Sequence, residues 1–168
     1  MSLRTRGAVV IPGVLTLAVL TVGGLTACGG SKVPISSPSP PAADDAACRA
    51  FLDAVPDVLD GELRRPVDPE DALGAAWGDP PITVLCGGGM PDGFDRFSAC
   101  EVADGVGWYV PEGTFTDSRL DAVMTTIGRR PIVQVRIPAT YRPEGPGAVM
   151  VQLAPAIKRH LRLVRPCV

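Results

Sequence analysis

The first 28 residues constrain this chain more than any other stretch. Arg4 and Arg6 precede an apolar run from Ala8 to Gly24, and Leu25-Thr26-Ala27 leads into Cys28. A positive start, an apolar middle and small residues before a cut site are the marks of a bacterial export signal. The run is 17 residues long and contains Pro12, Gly13, Gly23 and Gly24, so it falls short of the roughly 20 apolar residues of a stable membrane span. The remainder of the chain is expected to fold outside the cytosol, where thiols oxidise.

The order aliphatic, small, small, cysteine resembles the lipobox of bacterial lipoproteins, in which the cysteine is acylated and the signal is cut just before it. The alternatives are an uncleaved anchor or an ordinary signal cut nearby. Gly29-Gly30-Ser31 supplies the flexible access that processing needs. Acyl chains contribute about 0.8 kcal/mol per buried methylene, enough for two or three chains to hold a protein firmly. This reading divides the chain into a signal peptide over 1–27, a Pro/Ser-rich tether over 28–45 and a single extracytoplasmic domain over 46–168. Cys28 then makes the membrane a partner, and the expected location is lipid-anchored at the extracytoplasmic face of the cell membrane.

Composition narrows the partners. Beyond residue 27 the chain holds 14 basic and 18 acidic residues, a net charge of 14 − 18 = −4, which gives no reason to expect nucleic acid. The basic charge is late: from Arg129 to Arg165 eight Arg and Lys face only Glu144. That excess suits anionic headgroups or wall polymers, and suits better an acidic first half folding onto a basic second half. Setting Cys28 apart leaves Cys48, Cys86, Cys100 and Cys167, an even set that predicts two disulfides. The preferred pairing is Cys86 with Cys100 across a short loop and Cys48 with Cys167 joining the ends. No CxxC or close ligand pair points to redox or zinc chemistry, and no cofactor is expected.

The tether, GGSKVPISSPSPPAADD, has no apolar period, and a flexible chain of its length reaches roughly 20 to 25 Å. Asp44 or Asp45 is expected to cap a helix over Ala46–Ala54, with Pro56 opening a second short helix that ends at Gly61. After an irregular polar stretch, Asp79-Pro80-Pro81 enforces extension and Ile82–Cys86 reads as a buried strand. Gly87-Gly88-Gly89 with Pro91 and Gly93 forms a loop open to close ligand approach. Asp104-Gly105 marks a hairpin, and a second runs through Gly128-Arg129-Arg130, its outgoing strand alternating Val133, Val135 and Ile137 against Gln134 and Arg136. A helix over Ala148–Leu161 is expected to kink at Pro155. The predicted fold class is α+β: about five mostly antiparallel strands packed by an N-terminal and a C-terminal helix.

Several of these segments together, Arg64-Arg65-Pro66, Trp77-Gly78-Asp79-Pro80-Pro81-Ile82, Cys86-Gly87, Gly105-Val106-Gly107-Trp108, Ile127-Gly128-Arg129 and Arg165-Pro166-Cys167, resemble a family of actinobacterial envelope lipoproteins catalogued as a domain of unknown function. The resemblance implies secretion, lipidation and envelope residence. It implies no activity.

Catalytic constellations are sparse. His160, the single histidine, lies in a basic segment and reads as a helix-end residue. No nucleophile elbow, HExxH or P-loop occurs. A carboxylate pair of the glycosidase kind can be drawn from Asp79 with Asp92 or Asp95, although Asp79 before Pro80 reads more readily as a turn or cap residue and the other two as loop charges. Trp77 and Trp108 offer an aromatic platform, although so large an apolar area more often lies in a core. Arg129 and Arg130 at a hairpin tip can fork onto phosphate or carboxylate. The candidate binding surface is therefore Trp77, Asp79, Trp108, Arg129 and Arg130. The expected function is a non-enzymatic envelope binding module for a protein or wall polymer, and its alternative a carboxylate enzyme acting on peptidoglycan or another envelope glycan.

Overall fold

The computed structural model describes residues 31–144 and 146–167, so the export signal and Cys28 lie outside the described residues. From Ile82 onward the expected elements are present, β6 (Ile82–Gly88), β7 (Glu101–Ala103), β8 (Val106–Tyr109), β9 (Ala122–Ile127), β11 (Ile132–Ile137) and α2 (Pro146–His160), but the expected turn over Gly128-Arg129-Arg130 contains a short strand, β10 (Arg129–Arg130), which pairs with β12 (Arg162–Leu163) in a separate two-stranded sheet. Asp104 and Gly105 both take positive φ between β7 and β8, as the Asp-Gly signal requires. α2 continues through Pro155.

The first third departs further from expectation. Here the elements are β1 (Val33–Pro34), α1 (Ala42–Ala54), β2 (Val58–Leu59), β3 (Glu62–Arg65), β4 (Val67–Asp68) and β5 (Gly74–Trp77). α1 starts four residues before the expected Ala46, behind Pro41 at its N-cap and with no side-chain cap. The expected second helix ending at Gly61 is a hairpin instead. Asp60 and Gly61 take φ of 54° and 82° between β2 and β3, the same turn chemistry as Asp104-Gly105.

The main sheet accordingly has eight strands, ordered β2-β3-β5-β6-β11-β9-β8-β7, where about five were expected. Every adjacent pair in it is antiparallel. α1 and α2 pack on each other and across one face, burying Phe51, Trp77, Val84, Trp108, Met124, Val135, Leu153 and Ile157. Along β11 the alternation of Val133, Val135 and Ile137 points into that core. The α+β class holds, with more sheet than the sequence advertises.

Both disulfides differ from the preferred pairing. Cys48 on α1 bonds Cys86 on β6, with Cα atoms 5.5 Å apart, and Cys100 bonds Cys167 across 6.0 Å. Cys86 cannot reach Cys100. It sits on β6 while Cys100 precedes β7 at the sheet edge, four strands away, and at ~4.8 Å per strand that is about 19 Å. The inward face of β6 instead sets Cys86 beneath α1, and both sulfurs of that bond are in residues with no exposure.

The Pro/Ser-rich stretch is also not free. Val33 and Ile35 are 5% and 7% exposed, packed with Ala72 and Ala76 on the sheet face that the helices leave open. The amides of Val33 and Ile35 donate to the carbonyls of Pro66 and Asp68, and the Leu73 amide donates to Ser37 Oγ. Gly74 makes room for this contact, since a Cβ there would lie 2.8 Å from Ile35 Cγ2. Extended, proline-rich backbone suits such strand addition, and two alternating apolar side chains suffice to seat it. Residues 33–40 form a docked leash.

Candidate functional site

The sequence candidates scatter over the fold. Trp77 and Trp108 are both fully buried, so neither offers a platform to a ligand. The Trp77 Nε1 donates to the Pro56 carbonyl at 3.0 Å, whereas the Trp108 Nε1 is buried without an acceptor among the described residues. Each ring fills the layer between sheet and helices, where its area stabilises most.

Asp79 lies in the tight turn joining β5 to β6, and its side chain is 86% exposed. Gly78 has φ of +72° and the Asp79–Pro80 bond is cis. Beneath this turn Arg65 donates Nη1 to the Gly78 carbonyl at 2.9 Å and Nη2 to the Ser31 carbonyl at 2.7 Å, and its Nη1 lies 3.5 Å from Asp79. Tyr141 closes the other side. Burial pushes its phenol above the ordinary range, the Glu62 carboxylate adds to that, and a backbone hydrogen bond at Asp79 works against it. The Trp-Gly-Asp-Pro-Pro element thus forms a corner that clamps the start of the leash.

Asp92 and Asp95 stand at the other end of β6. Seven residues separate the two ends, about 20 Å at the strand rise, against the ~5 to 9.5 Å between the carboxyls of a glycosidase pair. Neither can serve with Asp79, which corrects the pairing drawn from the sequence.

Arg129 and Arg130 part company at the hairpin tip because successive strand residues face opposite ways. Arg129 is 8% exposed and donates Nη1 to the Leu161 carbonyl at 2.9 Å, just past the end of α2, where a cation complements the helix dipole. Its Nε is buried with no acceptor among the described residues. Arg130 is exposed. Arg129 is therefore a buried helix-end residue and not part of the surface expected from the sequence.

Around these two arginines lies a cleft of about 420 Å³. One wall is the loop after β6, through Met90 and Phe94; the floor is Ile127, Gly128 and Ile132; the opposite wall is the tail, through Val164 and Arg165. The Val164 and Arg165 amides both donate to the Gly128 carbonyl, at 2.7 and 3.1 Å, and Cys167 fastens the tail to Cys100. Phe94 is held edge-on to Tyr109 with ring centroids 5.3 Å apart. No carboxylate lines the cleft. Among the described residues neither Arg130 nor Arg165 is ion-paired. A larger hollow of about 530 Å³ nearby carries Asp95 and Glu112 instead.

The sequence pointed to the glycine loop and the late basic excess separately. It missed Met90, Phe94, Val164 and Arg165 as partners of Arg130, because only the tail's return over Gly128 brings them together. Arg165-Pro166-Cys167 was the available signal: a disulfide at Cys167 fixes this segment and carries Arg165 along with it.

Over residues 8–165 the chain matches the family described as Protein of unknown function (DUF3515), and it belongs to that family. No curated protein and no solved structure matches it.

Proposed function

We propose, from membership of a family with no assigned activity, that this protein is an extracytoplasmic lipoprotein acylated on Cys28 whose α+β domain is a binding module for an envelope component. The observation that carries the binding half is the cleft with arginines and no carboxylate. Its size falls within the ~300 to 1,000 Å³ of small-molecule sites, and its lining mixes an apolar floor with a few polar groups in the usual manner of such sites. The separation of Asp79 from Asp92 and Asp95 weighs against a carboxylate enzyme. The anchoring half rests on the sequence: Arg4 and Arg6, the apolar run from Ala8 to Gly24, and Leu25-Thr26-Ala27 before Cys28. Two disulfides suit an oxidising compartment.

Mass analysis of the mature N-terminus tests the anchor. The expected product begins at acylated Cys28, and Cys28→Ala releases the chain from the membrane; an intact signal or an unmodified cysteine rejects it. Crosslinking in intact cells tests the binding half, with capture expected in the wild type and lost in Arg130→Gln/Arg165→Gln.

A further inference from the structure

We infer that the cleft between the loop after β6 and the C-terminal tail takes a single-chain anionic amphiphile, a phosphate or carboxylate head on a hydrocarbon chain. The inference deepens the binding reading above and rests on it. Three features of the cleft meet in this ligand. The first is charge: among the described residues Arg130 and Arg165 at its margin are not ion-paired, and no acidic side chain lines it. Guanidinium groups bind phosphate and carboxylate through paired, charge-assisted hydrogen bonds.

The second is the apolar surface beside that charge, from Met90, Phe94, Ile127, Ile132 and Val164. A bare inorganic anion would leave it wet. The third decides between a hydrocarbon and a peptide. The polar groups of the floor are already engaged: the Thr126 hydroxyl accepts from the Val133 amide at 2.9 Å, and the Gly128 carbonyl accepts two amides of the tail. A peptide backbone laid there would find few partners for its own amides and carbonyls, whose burial unpaired is costly. A hydrocarbon chain asks for none. Ile132 also lines a second, smaller hollow of about 130 Å³ with Pro38, Leu85 and Gly88 beside the docked leash.

The test uses the full chain in neutral detergent and a fatty acid carrying a photoactivatable diazirine in its chain, with the labelled peptides identified by mass. Label is expected on peptides containing Met90, Phe94 or Val164. Decyl phosphate and decanoate should both displace it. Arg130→Gln/Arg165→Gln should weaken labelling by about tenfold or more, the loss of at least one charge-assisted contact. Arg162→Gln, on the same tail but outside the cleft, should leave it unchanged. Retention of both disulfides in each variant, read as no free thiol beyond the one that Cys28 contributes when unacylated, establishes that the fold survives. Label scattered over the domain, or indifferent to the double variant, overturns the inference. Displacement by decanol as readily as by decyl phosphate would make this a plain apolar hollow, and displacement by inorganic phosphate alone a plain anion site; either rejects the amphiphile while leaving a binding cleft. Because the assay needs no acylation, its outcome is separate from that of the anchor.

Discussion

At the scale of single residues, the buried polar atoms discriminate between positions that look alike in the sequence. Trp77→Phe removes the hydrogen bond to Pro56 as well as ring area, whereas Trp108→Phe removes ring area and an unmatched donor. Trp77→Phe is expected to lower stability more, by about 1 kcal/mol, in paired urea denaturation curves. Gly128 is a sharper case. Its φ is +71°, and an added Cβ would fall on the Arg165 carbonyl. Gly128→Ala should therefore cost about 2 kcal/mol or detach the tail, visible as loss of protection at Val164 and Arg165 in hydrogen exchange. Tyr141 gives a pH signature. Its folded pKa lies above the unfolded value, so its share of stability is complete below about pH 10 and is lost as pH rises through the folded pKa. A near-ultraviolet titration should show a late phenol that Tyr141→Phe abolishes. Such roles were only half legible: a tryptophan's bulk announces burial, but its acceptor comes from a residue 21 positions away.

At the scale of elements, the two disulfides have nearly equal entropic weight. Loops of 38 and 67 residues correspond to about 4 kcal/mol each in the chain-entropy account, so loop length does not rank them. Burial does. Cys48 and Cys86 are fully enclosed, while Cys100 and Cys167 are partly open to solvent. Graded reduction with thiol trapping should open Cys100–Cys167 first, freeing the tail wall of the cleft before the core is disturbed. The leash makes a parallel prediction. Ile35→Ala should cost about 2 kcal/mol and expose residues 33–40 to limited proteolysis, with the domain from α1 onward still resistant. The hairpins at Asp104-Gly105 and around Gly128 could be read because alternating apolar strands flank them. β2 and β3 were obscured because Val58-Leu59 is too short to alternate and Leu63 faces solvent between charged neighbours. Asp60-Gly61 carried the turn signal all the same. The leash was hidden for a related reason: prolines and serines dominate its composition and mask the two apolar side chains, Val33 and Ile35, that pack it on the sheet.

At the scale of the whole molecule, the clamp of Arg65 on Ser31 gives the domain a direction. Ser31 is held at the Gly78 end of β6, and the cleft opens beyond Gly88 at the other, about 20 Å away along the strand. Cys28 is three residues before Ser31, a span of at most about 10 Å in extended chain. A photo-crosslinking residue in place of Asp79 should then capture membrane-embedded neighbours in cells, and one in place of Gly89 should capture a different set; identical captures at both would contradict the orientation. On the proposed acylation of Cys28, so short a link would leave the domain little freedom to roam. It would stand as a post with its receptive end outermost, meeting what crosses the space above the membrane rather than what lies in it.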